Sequence, residues 1–405
     1  MSSFKINSIQ TEFPFLSKES ENKVIYFDSA ATTHKPNLVL NSIHNFYKNT
    51  NSNIHRSTHT LGSKATEEYE LARKVVAQFI GAKTEKEIVF TSGATESINL
   101  VANCFVKQLL QKNDVILISE VEHHSNLIPW QVLCKQIGCQ LKTIPFNQNF
   151  QLDFEAPGLL DSRVRFIAIH HVSNVTGCVQ KLKGFIEKAH KLNIPVLIDG
   201  AQAISHLEVN VNDLDCDFYC FSGHKMFAPT GTGVLYGKGA LLEKFSPYRY
   251  GGGMVPRVSI QKSEWEEGPV RLEAGTPNVC GAIALSKAIS FIEKLGIESI
   301  VKHEKTLVKE TLSVLEKIPN IILYRSSESS LPIFSFNIKN THPYDIASLL
   351  AENRVFVRSG HLCCQPLMNR LKIDGCVRVS MTFYNTVAEI KQFGQILEKI
   401  IKFLK

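Results

Sequence analysis

Between residues 87 and 203 short apolar runs alternate with stretches of helical period. EIVFTS (87–92) precedes ATESINLVANCFVKQLLQ, DVILIS (114–119) precedes SNLIPWQVLCKQIG, VRFIAIHHVS (164–173) precedes KLKGFIEKAHKLN, and IPVLIDGAQA (194–203) follows at once. The alternation predicts an α/β fold, a mostly parallel sheet with helices on both faces. In such sheets the functional side chains sit in loops at the carboxyl ends of the strands. After about residue 280 the pattern changes. GAIALSKAISFIEKLG and VKHEKTLVKETLSVLEKI carry helical period, PIFSFNI and RVFVRSG read as strands, and VAEIKQFGQILEKIIKFLK closes the chain as a helix. We expect a large domain over residues 22–280 and a smaller α+β domain from residues 281–405 together with residues 1–21. RYGGGMVPRVSI (249–260) has no period and reads as a functional or interface loop.

Composition narrows the function. The formal net charge is +7, but lysines and arginines are spread along the chain without a basic tail. No nucleic acid is expected; a mildly basic surface suits anionic small molecules or an acidic partner. No apolar run approaches the roughly 20 residues that span a bilayer. The N-terminal MSSFKINSIQTEFPFLSKES lacks the apolar core of a signal peptide. We expect a cytoplasmic chain with no membrane segment. The ten cysteines are irregularly spaced, most of them inside apolar segments such as LVANCFV and FYCFS. They read as free buried thiols. There is no CxxC pair and no HExxH, so no metal site is expected.

The strand ends carry the chemistry. TSGATES (91–97) is a small-residue turn opening a helix, where Thr95 and the open amides of Gly93 and Ala94 suit an anion. VEHHSNLIPW places His123 and His124 after the next strand, and HHVSNVTG places Asn174 after another. VLIDGAQA ends a buried strand on Asp199, with Gln202 three residues on. DFYCFSGHKMFAPTGTGVLY (217–236) adds Ser222, His224 and Lys225. Singly, each has a bland reading: a helix cap, a satisfied histidine, a capping aspartate, a lysine that reaches solvent. Together they put an anion site, a flat ring, an acid and a lysine on one edge of one sheet. Pyridoxal phosphate (PLP) needs those four parts. A lysine forms a Schiff base with its aldehyde, an acid pairs with its ring nitrogen, a flat side chain stacks on the ring, and a helix N-terminus holds the phosphate. Burial would keep the Lys225 amine neutral, the form that attacks a carbonyl.

Eight collinear stretches carry a more specific signal: VIYFDSAATTHKP (24–36), NIHRSTHTLG (53–62), EHHSNLIPWQ (122–131), DGAQA, DLDCDFYCFSGHKMFAPTGTGVLY (213–236), EAGTPN (273–278), VRSGHLCCQPLM (357–368) and VRVSMTFYNT (377–386). Over nearly the whole chain this sequence resembles the fold-type-I, class V aminotransferase-like PLP enzymes and, within them, the SUF-type (group II) cysteine desulfurases. The resemblance implies that Lys225 bonds PLP, that His123 stacks on the ring and moves protons, and that Asp199 and Gln202 meet the ring nitrogen and phenolic oxygen. It assigns the phosphate to Ala94, Thr95, Ser222 and His224, joined by Thr276 of a second subunit. Asn174 and Arg378 would hold the substrate carboxylate, and Arg358 would line the pocket. His55, Arg56 and the loop Gly251–Gly253 would lie at a homodimer interface, close to the partner's site.

The implied reaction converts L-cysteine to L-alanine. Its sulfur becomes a persulfide on Cys363, then passes to an acceptor protein and iron–sulfur cluster assembly. The sequence departs from the family pattern at Leu362, where a second histidine is common, and at Cys364, where a small residue is common. Cys364 adds a second sulfur acceptor or a site of oxidation. On an extended loop the two thiols should point in opposite directions. Arg358 and His361 would favour a thiolate nearby. Rival readings are a selenocysteine lyase or cysteine-sulfinate desulfinase, a C–S lyase that releases sulfide, and a true aminotransferase.

Overall fold

A computed structural model describes residues 6–17, 24–326 and 330–404. Residues 1–5 and 18–21 of the expected N-terminal contribution to the smaller domain lie outside the described residues. Seven strands form the central sheet: β1 (Ile88–Thr91), β2 (Val115–Ser119), β3 (Gln140–Ile144), β4 (Val164–His170), β5 (Val196–Asp199), β6 (Phe218–Ser222) and β7 (Gly233–Gly237). Their order is β1-β7-β6-β5-β4-β2-β3, with β7 antiparallel to both its neighbours and every other pairing parallel. The sequence reading missed β7 and the edge strand β3. GVLYG is bracketed by glycines, and QLKTI is half polar because one of its sides has no neighbouring strand.

The central strands are apolar without a break because both faces are covered. Alternate residues go to opposite cores. Leu117, Ile167, Ile198 and Phe221 join one cluster, while Ile116, Phe166, Leu197 and Cys220 join the other. Helices α1 (Ala94–Val101) and α2 (Ile128–Ile137) cover the second face through Ile98, Val101, Trp130 and Leu133. Helices α3 (Lys183–Lys191) and α4 (Val279–Leu295) cover the first through Phe185, Ala189, Leu285 and Ile289.

The C-terminal part builds a four-stranded antiparallel sheet from β8 (Ile321–Tyr324), β9 (Ile333–Ile338), β10 (Arg358–Gly360) and β11 (Cys376–Ser380), in the order β10-β11-β9-β8. It has its own apolar core. Phe334, Phe336 and Val379 pack with Leu307 and Leu315 of α5 (Ile297–Leu315) and with Phe393 and Leu397 of α6 (Val387–Leu404). RVFVRSG is not one strand, as the sequence suggested. Val355–Phe356 pairs in parallel with Ile25–Tyr26, whereas Arg358–Gly360 pairs with β11. Phe13 sits at the seam, its ring 5.1–6.1 Å from those of Phe227, Phe291, Phe383 and Tyr384. Phe13 joins the apolar cluster of the large sheet together with Phe291, Phe383 and Tyr384, three rings from the 281–405 segment.

Candidate active site

The carboxyl ends of β1, β2, β4, β5 and β6 reach one edge of the sheet, as parallel topology requires. They surround a cavity of about 590 Å³ lined by Thr95, His123, Asn174, Asp199, Lys225 and Cys363, among others. Strand β6 ends at Ser222 and turns at once through a short 3₁₀ stretch, Gly223–Lys225. A distant segment fixes that turn. The His224 carbonyl accepts the Thr33 N–H at 3.0 Å and the hydroxyls of Thr32 and Thr33 at 3.1 Å. Lys225 is thereby held in the cavity wall. Burial pulls its amine below the ordinary lysine range, while the neighbouring Asp199 opposes the shift.

Asp199 closes β5. The Ala201 N–H donates to its Oδ1 at 2.9 Å, and Oδ2 has no partner among the described residues. Burial pushes its carboxyl up; the Ala201 hydrogen bond and Lys225 pull it back. Gln202 is buried and donates to the Ala30 carbonyl at 2.8 Å. His123 caps the turn that follows β2, accepting the Ser125 N–H on Nδ1 at 3.1 Å. Its proton therefore sits on Nε2. Burial and then Lys225 lower its pKa to about 3, so the ring is neutral at working pH.

The anion end lies at the start of α1. Here Gly93 and Gly233 touch: a Cβ on Gly233 would lie 2.3 Å from the Gly93 Cα, so no side chain fits between β7 and the helix entry. The Ala94 amide is not open, as the sequence suggested, because it donates to Ser222 Oγ at 2.8 Å. Thr95 Oγ1 pairs with Ser125 Oγ at 2.7 Å. The hydroxyls of Ser222, Thr95 and Ser125 thus converge with His224 on one end of the cavity.

Two arginines mark the opposite side, and one acid that the sequence reading passed over organises them. Asp28 accepts Arg358 in a forked contact at 2.9–3.1 Å and Arg378 Nη2 at 3.1 Å. Arg378 also donates to the Asn174 carbonyl at 3.0 Å, and its buried Nε has no partner. The Asn174 side-chain amide donates to the Leu362 carbonyl at 2.8 Å.

That last contact helps anchor the cysteine loop. The Cys363 carbonyl accepts the His124 N–H at 2.8 Å, and the Gln365 N–H donates to His124 Nε2 at 3.3 Å. The loop is not extended: Leu362 and Cys363 both hold φ near 54°, the left-handed region that non-glycine residues seldom occupy. The thiols still part company. Cys363 is the one exposed thiol of the ten cysteines, whereas Cys364 is fully buried and donates to the Val121 carbonyl at 3.5 Å. Burial pushes the Cys364 thiol well up, which disfavours a reactive thiolate there. Arg358, expected to act on the thiol, is engaged by Asp28.

His55, Arg56 and Thr276 do not line this cavity. All three are exposed. Arg56 donates to the Val255 carbonyl at 2.8 Å, which ties it to the glycine-rich loop. The segment bearing Thr276 is fixed by Glu273, another residue the sequence reading missed. Its carboxylate takes both terminal nitrogens of Arg73 at 2.7 and 2.9 Å, the Tyr69 hydroxyl at 2.9 Å and the Phe90 N–H at 2.7 Å.

The class-V aminotransferase family model matches residues 25–393. The chain belongs to that family. Class-V aminotransferase enzymes of this kind depend on PLP. A cysteine desulfurase of Escherichia coli O139:H28 is 41% identical over 404 residues, 99% of each chain. Among solved structures, the apo cysteine desulfurase of Thermococcus onnurineus NA1 superposes with a TM-score of 0.93 at 36% identity, covering 98% of both chains. The cysteine desulfurase CsdA of Escherichia coli, in an S-sulfonic acid form, gives 0.91 at 37% identity over 98% of both. No helix among the described residues is long and apolar enough to cross a membrane.

Proposed function

We propose that this class-V enzyme is a PLP-dependent cysteine desulfurase of the SUF type. It takes L-cysteine, releases L-alanine and keeps the sulfur as a persulfide on Cys363, for an acceptor protein and iron–sulfur cluster assembly. One observation carries the reading: the single exposed thiol of ten lines the same cavity as Lys225 and Asp199. An aminotransferase needs no such thiol.

The side chains fit PLP. Lys225 offers an amine that burial favours in its neutral form, Asp199 offers an unpartnered Oδ2, and the Ser222, Thr95 and His224 end suits a phosphate. When bound, PLP supplies an aldehyde for imine formation with the substrate amine and a ring that accepts electron density. The protein does the rest. Arg378 and Asn174 hold the substrate carboxylate, the buried Arg378 Nε being open for it. His123 presents its Nε2 proton and packs as a neutral ring. The Cys363 thiolate attacks the sulfur of bound cysteine. An S–S bond forms and the C–S bond breaks, its electron pair staying with carbon, which takes up a proton to give alanine.

The reading includes a homodimer in the cytoplasm. Thr276, His55, Arg56 and the Gly251–Gly253 loop lie outside their own chain's cavity, and Tyr250, Val258 and Ile260 beside them are 66%, 65% and 98% exposed. A second copy would cover that apolar surface and receive those residues at its site. Ten free thiols suit a reducing compartment. The separate apolar core behind β8–β11 supports a second domain in the C-terminal part, while α4 (Val279–Leu295) packs with the large sheet.

An alanine assay with L-cysteine, run with and without a reductant, tests the function. Turnover that needs the reductant to discharge the persulfide supports it, and absence of alanine rejects it. Borohydride reduction followed by peptide mapping tests the lysine, and label on any lysine other than Lys225 rejects that assignment.

A further inference from the structure

The loop that carries Cys363 is held in a backbone conformation that its residues seldom choose. Leu362 and Cys363 both sit near φ 54°, and neither is a glycine. Such a backbone persists only where its surroundings over-determine it. Four of its contacts come from groups that do not titrate near neutral pH. The Asn174 side-chain amide donates to the Leu362 carbonyl, the His124 N–H to the Cys363 carbonyl, the Cys364 N–H to the His361 carbonyl at 2.9 Å, and the Cys364 thiol to the Val121 carbonyl. A fifth contact can be switched. Gln365 opens a short helix, Gln365–Leu371, so its N–H has no partner within the helix. The partner is the imidazole of His124, whose Nε2 accepts that N–H at 3.3 Å.

A backbone N–H can only donate. His124 Nε2 must therefore carry a lone pair, and the ring proton lies on Nδ1. One histidine thus grips the loop on both sides of Cys364: its own N–H holds residue 363 and its ring holds residue 365. An imidazolium has no acceptor, so protonation would break the second grip and set two N–H groups against each other. The surroundings oppose that protonation. His124 is half-buried, and burial and then His361 lower its pKa below the ordinary 6.5. The titratable groups around it are His361 and Cys363 on the loop and His123 on its own turn, with ring centroids 6.3 Å apart; Arg358 lines the same cavity. A second cavity on its far side, between α1 and α2, is lined by Thr95, Asn99, Ser125 and Ile128 among others, and by no charged group among the described residues.

We propose that His124 is a positioning residue for Cys363: its neutral imidazole latches the strained loop so that the thiol lines the cavity with Lys225, and protonation of that ring releases the latch. The role rests on the desulfurase reading above, in which the thiol must meet the sulfur of bound cysteine. The latch should hold above the ordinary histidine pKa of 6.5 and open as pH falls below it, because the lone pair is lost when the ring takes up a proton.

The test measures iodoacetamide labelling of Cys363 in the holoenzyme, without cysteine, read on the peptide spanning residues 357–368. Wild type, His124→Gln and His124→Leu are compared from pH 8 to pH 5. The glutamine carbonyl can accept the Gln365 N–H and does not titrate, whereas leucine removes the acceptor. We expect His124→Leu to be labelled about fivefold faster than wild type at pH 8, the size of one lost hydrogen bond, while His124→Gln keeps the wild-type rate there. Dividing the wild-type rate by that of His124→Gln cancels the ionisation of the thiol itself. The ratio should stay flat above pH 6.5, rise as pH falls, and level off near the His124→Leu value. In turnover, His124→Leu should lower kcat for cysteine and leave KM within about twofold, since Arg378 and Asn174 keep the carboxylate. Wild-type labelling in His124→Leu, or a ratio that is flat down to pH 5, overturns the inference. So does faster labelling matched by an equally lowered melting of the whole protein, which marks a packing role. If His124→Leu does not fold, the ratio decides alone. Labelling needs no substrate, so a protein that makes no alanine loses the desulfurase reading while the latch is judged by itself.

Discussion

Arg378 and Asp28 meet at 3.1 Å across 350 residues of sequence, and the same carboxylate grips Arg358. One half-buried acid thus serves two guanidinium groups, which leaves positive charge uncompensated at one side of the cavity. Burial pulls the Arg378 guanidinium below its usual range and Asp28 holds it up. Its Nε points at no protein acceptor. A substrate carboxylate completes this arrangement.

Arg378→Ala should therefore lower kcat/KM for cysteine by roughly a hundredfold or more, the cost of losing one partner of a desolvated charged pair. PLP absorbance should remain. Asp28→Asn should bring a smaller fall, because both arginines persist but lose their common anchor. Steady-state kinetics on the two variants checks this; an Arg378→Ala enzyme within threefold or so of wild type would remove the arginine from the substrate site.

Gly200 follows Asp199 because nothing larger fits. A Cβ there would lie 2.1 Å from the ring of Tyr219, which is fully buried and held by His171 Nδ1 at 3.0 Å. Gly200→Ala should destabilise the fold by about 2–4 kcal/mol. Gly184→Ala, in α3 with nothing within 4 Å of the added carbon, should be neutral or stabilising by up to about 1 kcal/mol. Urea unfolding of both variants reads the contrast. Equal stability of the two would mean that Tyr219 can move aside.

Acid should weaken the fold in a defined window. Burial, and then the charge of His170, lowers the His171 pKa to about 4 from an ordinary 6.5. The unfolded chain takes up that proton at higher pH than the folded one. The stability is therefore full above about pH 6.5, falls as pH drops toward 4, and levels off below. His171 alone accounts for at most about 3 kcal/mol of the loss. His123, His224 and His34, also lowered by burial, add in the same direction. Unfolding free energies between pH 7 and 4 should show a shallower slope in His171→Gln than in wild type; parallel slopes would contradict the assignment.

What was legible in the sequence was what is local. Lys225, Asp199, His123 and Asn174 each stand at or just past the end of an apolar run, and parallel topology carries such ends to one edge. What was not legible depends on distance or on backbone shape. Asp28 acts through partners at 358 and 378, and the Thr32 and Thr33 hydroxyls fix a turn nearly 200 residues away. Leu362 and Cys363 both take a left-handed conformation that no glycine announces, so the loop read as extended.

The central claim is that Cys363, and not its neighbour, receives the sulfur. The most direct measurement incubates the enzyme briefly with L-cysteine without reductant, traps thiols with an alkylating agent, and maps the peptide spanning residues 357–368 by fragment mass spectrometry, alongside alanine release by Cys363→Ala and Cys364→Ala. The account predicts one extra sulfur atom on Cys363, none on the buried Cys364, loss of alanine release from cysteine in Cys363→Ala, and its retention in Cys364→Ala. Extra sulfur on Cys364, or undiminished alanine release from Cys363→Ala, would contradict it.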